Sequence, residues 1–364
     1  MTKKSKSPIT LMFVSDIHLG SPLLNHDKIK DHFDNDADAV IGLPRSLARI
    51  KNSHQVTQTF VLGDIFDRPI SIDELHYTTI KEIFFNLLDA LDFPILLKGT
   101  TSHDGKYQIP NLIDEKHEEA LASDPECIRS LDVEDYYPVT AYMNAIHVET
   151  YQWKPKEGKK KRTISVGYIP DNMQGTKEEI IKKLKKCMER KGLKELDYLL
   201  THVLWDFHVD PNRIRPDIPV FSESDFPFVK KHIVSGHIHQ HQERGKLVIC
   251  GSATRTRFDE TETKGITLIH DYGDHTSVEF VPLQQAHDLH VLLYKPEDTS
   301  KAQALLETKK DCIDSPDIVV VLEEETGTVP EEYLRPLRNK FHRVEVMTIP
   351  LYLKDKLSSL LPHL

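Results

Sequence analysis

The sequence predicts a mixed α/β (α+β) protein of two domains. Three observations lead there. Strand-like apolar runs alternate with helix-like segments over residues 10–287. A separate β-α-β-α-β pattern follows from residue 289. The length, 364 residues, suits roughly two domains at about 150 residues each.

Taken in order, residues 10–18 (TLMFVSDIH) form an apolar run that ends in polar residues, read as a strand leading into a loop. Residues 59–67 (TFVLGDIFD) and 93–99 (FPILLKG) repeat that shape. Between these two, residues 71–92 (SIDELHYTTIKEIFFNLLDALD) place apolar side chains at helical spacing, with Ser71 as a candidate cap. The opening therefore reads strand, helix, strand, helix, strand. From 135 to 170 strand-forming residues dominate, and 177–192 (KEEIIKKLKKCMERKG) is an amphipathic helix closed by Gly192. Residues 196–202 (LDYLLTH) and 231–239 (KHIVSGHIH) are short buried strands, and hairpin-like strands follow to about 287. Then HVLLYK, SKAQALLETKKDC, DIVVVLEE, VPEEYLRPLRNK and HRVEVMTIP make the β-α-β-α-β pattern. The expected domains are 1–287 and 288–364. The last segment, 351–364, has leucines at 357, 360 and 361, close to helical spacing. It is expected to finish the small domain, the other reading being a short docking helix. No internal repeat is present, and one low-complexity stretch, KPKEGKKKR, spans 154–162.

Composition narrows the classes. With 39% hydrophobic residues the chain can bury a core. No apolar run approaches the ~18 residues of a membrane span, and the start, MTKKSKSPIT, lacks a signal peptide's apolar stretch. A cytoplasmic protein is expected. The cysteines, Cys127, Cys187, Cys250 and Cys312, include no CxxC pair and are expected to be free thiols. A protein that binds nucleic acid over its whole surface is usually basic. A net charge of −10 therefore confines any such contact to a local patch, or to metal ions and partners.

The chemistry collects in five short runs: DIH at 16–18, GDIFD at 63–67, SHD at 102–104, TH at 201–202 and GHIH at 236–239. Most of them end a strand-like stretch. Hard divalent cations take carboxylate oxygens, and Mn, Fe, Zn and Ni also accept imidazole. Asp16 and His18 are two apart, as are His237 and His239, so each pair points to one side of an extended chain. Asp64 follows a glycine that lets the backbone turn beyond its strand. His103 beside Asp104 suggests a proton donor held by a carboxylate. His202 ends a buried strand, whereas His241 extends the GHIH alternation beyond the expected site. Together the runs could hold two ions side by side, an arrangement suited to phosphoryl chemistry.

These runs resemble the calcineurin-like metallophosphoesterases, whose pattern is DxH, GD, GNH[DE], a lone His and GHxH. GDIFDR and the GSATR segment at 251–255 are similar to the SbcD-type DNA repair nucleases. The resemblance covers about 10–287 and implies a β-sandwich flanked by helices; the C-terminal domain is similar to that family's DNA-capping domain. It implies one ion held by Asp16, His18, Asp64 and His239, and another by Asp64, His202, His237 and the position of the family's Asn. His103 would be the acid or transition-state stabiliser, oriented by Asp104, with Asp67 supporting the site. The family's GNHD is here Gly99-Thr100-Thr101-Ser102-His103-Asp104. The Asn is missing, and Ser102 is the expected replacement ligand. G-T-x-S-H-D resembles phage-type members, which suggests a viral or prophage origin.

The resemblance further implies two divalent ions, Mn2+ foremost, with Mg2+, Zn2+ or Fe2+ as the others, and hydrolysis of DNA phosphodiesters. An SbcC-like ATPase partner and a homodimer are implied in the same way. Arg68, Arg255 and Arg257 are candidate phosphate contacts, as is the basic run from Lys154 to Arg162. Two other readings use the same residues: a small-molecule phosphodiesterase or phosphatase, and a scaffold with a degraded site.

Overall fold

A computed structural model describes residues 7–20, 39–73, 77–106, 108–123, 140–142, 144–155, 161–171, 173–209, 218–256, 260, 262–283, 289–310, 315–323 and 325–349. The chain divides into two compact units, the main division falling after Gln284.

In the larger unit, strands β1 (Ile9–Val14), β2 (Gln58–Leu62), β3 (Ile95–Leu97) and β4 (Ala141–Tyr142) run parallel. The antiparallel strands β13 (Gly265–Asp271) and β14 (Thr276–Pro282) extend this sheet beyond β1. A second sheet has β6 (Arg162–Ile169), β7 (Leu196–Thr201), β10 (Val229–Ser235) and β12 (Leu247–Ile249) parallel at its centre. Its edges are the antiparallel β5 (His147–Trp153) and β11 (Gln242–Arg244). A small pair, β8 (Leu204–Trp205) and β9 (Val220–Phe221), follows β7.

Side-chain alternation explains the layering. Ile9, Leu11 and Phe13 of β1 share a buried cluster with Val166, Tyr198, Leu200 and Val234 of the second sheet. Met12 and Val14, on the other face, pack with Leu43 and Leu47 of α1 (Ala39–Ser53) and with Ile83 and Leu87 of α2 (Tyr77–Ala90). Ile109 and Leu112 of α4 (Gln108–Ser123) join the same outer cluster. On the far side, Leu199 and Ile233 pack against Ile180, Leu184 and Met188 of α5 (Lys177–Arg190). The result is helix, sheet, sheet, helix. Both faces of the central strands are covered, which is why they read as nearly continuous apolar runs.

Helix α5 starts at a capping box, with Thr176 and Glu179 bonding each other's backbone. Helix α2 starts at Tyr77, not beside Ser71. Helix α1, which contains Pro44, is the helix expected, without set bounds, between the first two strands; α4 is an addition. No helix among the described residues is long and apolar enough to cross a membrane.

At the N-terminal ends of the parallel strands a polar clasp joins the sheets. The buried Asp271 carboxylate of β13 accepts bonds from Arg162 Nη1 (3.1 Å), Lys231 Nζ (2.7 Å) and Tyr198 Oη (2.9 Å), all from the second sheet. Arg162 Nη2 also donates to the Asp271 carbonyl at 2.7 Å. Arg162, expected within a phosphate-binding run, is thus committed to this structural role; residues 156–160 of that run lie outside the described residues.

The smaller unit is a parallel sheet of β15 (Leu289–Leu293), β16 (Ser315–Glu323) and β17 (Phe341–Thr348) with α6 (Ser300–Thr308) and α7 (Glu331–Arg338). Leu292, Val319 and Val321 cluster with Ala302, Leu334 and Leu337, so both helices cover one face of the sheet. Segment 351–364 lies outside the described residues.

Removing the Asp271 carboxylate would leave two partly buried cations without their shared partner. Asp271→Ala is expected to lower unfolding stability by about 3 kcal/mol, read from the midpoint of a urea denaturation curve. An unchanged midpoint would show that the clasp contributes nothing.

Candidate metal centre

All five motif runs leave the C-terminal ends of parallel strands, three in the first sheet (β1, β2, β3) and two in the second (β7, β10). Ligands collect at such ends because the loops there must stay polar while the strands behind them are buried. Stacking the two sheets brings these ends to one place.

The backbone there is under strain. Asp16 (φ 50°), His18 (φ 51°), Asp64 (φ 50°) and His237 (φ 77°) all adopt left-handed conformations, each costing on the order of 1 kcal/mol for a residue other than glycine. Only three other described non-glycine residues do so, Gln55, Asp92 and Phe93, and none of them lies within a motif run. Gly63 (φ 85°) makes the close approach possible, since a Cβ there would lie 2.5 Å from Gly99 Cα and 2.6 Å from His202 Nδ1.

Candidate ligand atoms lie within 4.8 Å of one another in three groups: Asp16–His18–His239, Asp64–His202–His237, and a third, His18–Asp67–His103, that shares His18 with the first. In the first, His18 Nε2 faces His239 Nε2 at 3.2 Å, and His239 Nε2 lies 3.6 Å from Asp16 Oδ1. In the second, His202 Nε2 lies 3.3 Å from Asp64 Oδ2. The groups adjoin: the His237 backbone N–H donates to Asp16 Oδ2 at 3.1 Å. Ser15 Oγ donates to the same oxygen at 2.5 Å, leaving Asp16 Oδ1 for the centre. His202 Nδ1 donates to the Leu62 carbonyl at 2.6 Å, so its Nε2 presents a lone pair once the ring is neutral.

These donors fit divalent cations. Asp16 Oδ1, His202 Nε2 and His237 Nδ1 are buried without a hydrogen-bond partner, a costly state that a cation relieves. The mixture of carboxylate and imidazole suits Mn2+, Fe2+ or Zn2+ better than Ca2+.

Charge supports the same reading. Burial pushes the Asp64 carboxyl up, but the facing His202, with His18 and His103 near it, outweighs burial and holds the carboxyl well below its usual range. Burial pushes His202 down, yet Asp64, Asp16 and Asp171 carry it up to about 10. His237 is pushed down to about 4, first by burial and then by His202, so it stays neutral and ready to ligate. Without a cation, therefore, His202 keeps a proton at neutral pH, and a cation entering beside Asp64 must displace it.

The third run departs from expectation. Asp104 does not orient His103. It is buried, and its carboxylate accepts backbone N–H bonds from Asp64 (3.0 Å), Ile65 (2.8 Å), Phe66 (3.2 Å) and Gly99 (2.8 Å). Burial, and then the charge of Asp64, push this carboxyl up to about 6 despite those donors. His103 is instead held through Nδ1 by the Asp67 carbonyl. Its Nε2 lies 4.0 Å from Asp64 Oδ2, and the side chain is 31% exposed. Asp67 Oδ1 also lies 3.6 Å from His18 Nδ1, so Asp67 steadies two rings. Residues Thr101–Asp104 form one helical turn, α3, on which Ser102, the expected ligand, is exposed. Thr100, which lies outside the five motif runs, bonds both oxygens of Asp64, through its N–H at 2.5 Å and its Oγ1 at 3.2 Å. The buried Lys98, also outside the runs, donates from Nζ to Thr101 Oγ1 at 2.9 Å.

Of the other candidates, Arg68 is exposed just after the GDIFD run. Arg255 belongs to the smaller unit, where its Nε donates to the Glu260 carbonyl at 3.1 Å. Arg257 lies outside the described residues. His241 stacks on Phe280 at 4.4 Å and takes no part in either group.

No family model matches this chain, and no curated protein matches it. Among solved structures, it is similar to an NAD nucleotidase from Haemophilus influenzae at 9% identity and a TM-score of 0.41, over 92% of this chain and 60% of that one. It is also similar to YfcE, a phosphoesterase from E. coli, at 13% identity and a TM-score of 0.30, over 76% of this chain and 100% of that one. A dimetal phosphatase from Danio rerio aligns at 10% identity and a TM-score of 0.35, over 77% of this chain and 98% of that one.

Two outcomes are expected. Asp104→Ala strips the acceptor from four buried N–H groups and should cost about 3–5 kcal/mol; a melting temperature equal to that of the unaltered chain would refute the role given to Asp104. Loading the centre with Mn2+ should release about one proton from His202, so affinity should weaken as pH falls from 8 to 6. Calorimetry in two buffers of different ionisation enthalpy measures the release directly, and a heat that does not depend on the buffer would contradict it.

Proposed function

We propose that this chain is a metal-dependent phosphodiesterase acting on DNA, of the calcineurin-like type its motifs resemble. The observation that carries the reading is the pairing of two adjoining carboxylate–imidazole groups with His103, which belongs to neither of them and meets His18 and Asp67 beside them.

In this reading Asp16, His18 and His239 hold one ion, His202 and His237 hold the other, and Asp64 lies between them. Such ions, once bound, supply Lewis acidity toward a phosphoryl oxygen and a more acidic attacking water. The chain itself does the positioning. Asp104 and Gly63 keep the turns after β2 and β3 in contact, and the Asp67 carbonyl fixes the Nδ1–H tautomer of His103. With Nδ1–H held there, the doubly protonated ring gives its Nε2 proton to the leaving oxygen and returns to that neutral tautomer.

DNA as substrate is supported by GDIFDR, by the β-α-β-α-β unit and by the exposed Arg68 beside the centre. The net charge of −10 favours the second reading, a phosphodiesterase or phosphatase for a small molecule. An SbcC-like ATPase partner, homodimerisation and Mn2+ as the resident ion belong to the first reading.

End-labelled single- and double-stranded DNA, and cyclic nucleotides in parallel, should be incubated with Mn2+, Mg2+ or EDTA. DNA cleavage that EDTA abolishes is expected; turnover confined to cyclic nucleotides would establish the second reading. His103→Ala should lower turnover by about 10²- to 10⁴-fold while metal content stays near that of the unaltered chain. Loss of both metals in that variant would remove His103 from the proton-donor role.

A further inference from the structure

We propose that Thr100, not Ser102, supplies the neutral oxygen that completes the Asp64–His202–His237 group. The proposal rests on the metal-centre reading above and concerns how this chain fills a ligand position its motif leaves open.

Three observations carry it. First, Thr100 sits at the N-cap of α3 with extended backbone (φ −61°, ψ 134°), yet its side chain makes no capping bond. A threonine there ordinarily turns its oxygen to the helix's free N–H groups. Here the hydroxyl lies instead 3.2 Å from Asp64 Oδ2, while the Thr100 N–H donates to Asp64 Oδ1 at 2.5 Å. Second, Asp64 Oδ2 is the point on which the group converges, with His202 Nε2 at 3.3 Å and His103 Nε2 at 4.0 Å. The Thr100 hydroxyl is the neutral oxygen nearest that point among the bonds described. Third, the neighbouring hydroxyls are placed elsewhere: Thr101 Oγ1 accepts from Lys98 Nζ at 2.9 Å, and Ser102 is exposed.

The geometry also accounts for the longer loop. Two residues added as a helical turn advance the chain by about 3 Å, against nearly 7 Å if extended. Thr100 therefore stays directly after Gly99, against Asp64, and the extra length is taken up in α3, which still delivers His103 to the Asp67 carbonyl.

A hydroxyl is a weaker donor than an amide or carboxylate oxygen, so this group should be the weaker of the two. Removing that oxygen should weaken it further, by the order of 10- to 100-fold seen when groups supporting a metal site are lost. Mn2+ binding to the full chain, measured without substrate by calorimetry and by electron paramagnetic resonance of free Mn2+, reads this directly. We expect two ions in the unaltered chain, with Thr100→Val weakening one of them about 10- to 100-fold. Ser102→Ala should leave both affinities unchanged, and Thr100→Asn should tighten the weaker one. Melting in EDTA establishes that each variant folds. If Thr100→Val fails to fold, Thr100→Asn decides: no tightening overturns the proposal. Two unchanged affinities in Thr100→Val, or loss of the weaker ion in Ser102→Ala, also overturn it while leaving the metal centre standing. Fewer than two ions in the unaltered chain overturns both.

Discussion

One buried carboxylate that belongs to neither ligand group holds the centre together. Asp104 gathers the N–H groups of Asp64, Ile65, Phe66 and Gly99 and so ties the turn after β2 to the turn after β3. Those turns carry Asp64, Asp67, Thr100 and His103. Aiming four backbone dipoles at one anion keeps that anion charged in a site that would otherwise neutralise it. The residue next to the proposed proton donor thus acts on the backbone rather than on its neighbour's ring.

The second constraint is that neither sheet by itself contains the Asp16–His18–His239 group or the Asp64–His202–His237 group. The first sheet offers Asp16, His18, Asp64 and His103; the second offers His202, His237 and His239. Each ligand group takes members from both. Its geometry is therefore set by how the sheets pack, through the shared core of Leu11, Phe13, Tyr198 and Val234 and through the clasp at Asp271. A core change far from the centre can shift one sheet's ligands against the other's by a fraction of an ångström, enough to disturb a site that depends on preorganisation.

Much of this is legible in the sequence, for a physical reason. A parallel strand buried on both faces reads as an apolar run, and its end reads as the first polar residues after it, so β1, β2, β3, β7 and β10 and the runs that follow them stand out together. What is not legible depends on partners without a sequence signature. The bonds of Asp104 go to backbone N–H groups, which every residue but proline has. The choice between Ser102 and Thr100 turns on whether two added residues coil or extend, and residue counting treats both alike. Arg162 looks like part of a basic surface run until the fold places Asp271 against it. Helix α4 has only a short apolar stripe, led by Ile109 and Leu112, and α1 contains a proline.

The left-handed backbone at Asp16, His18, Asp64 and His237 has an evolutionary consequence. Glycine would fit all four positions with less strain, and at each of them it would also remove a buried carboxylate or an unsatisfied ring nitrogen. A copy of this protein freed from selection for its chemistry could gain stability by losing its ligands, through substitutions at the very residues that define it. Keeping polar side chains at these four strained positions is thus itself a record of selection for binding, one that can be read in related chains without any assay.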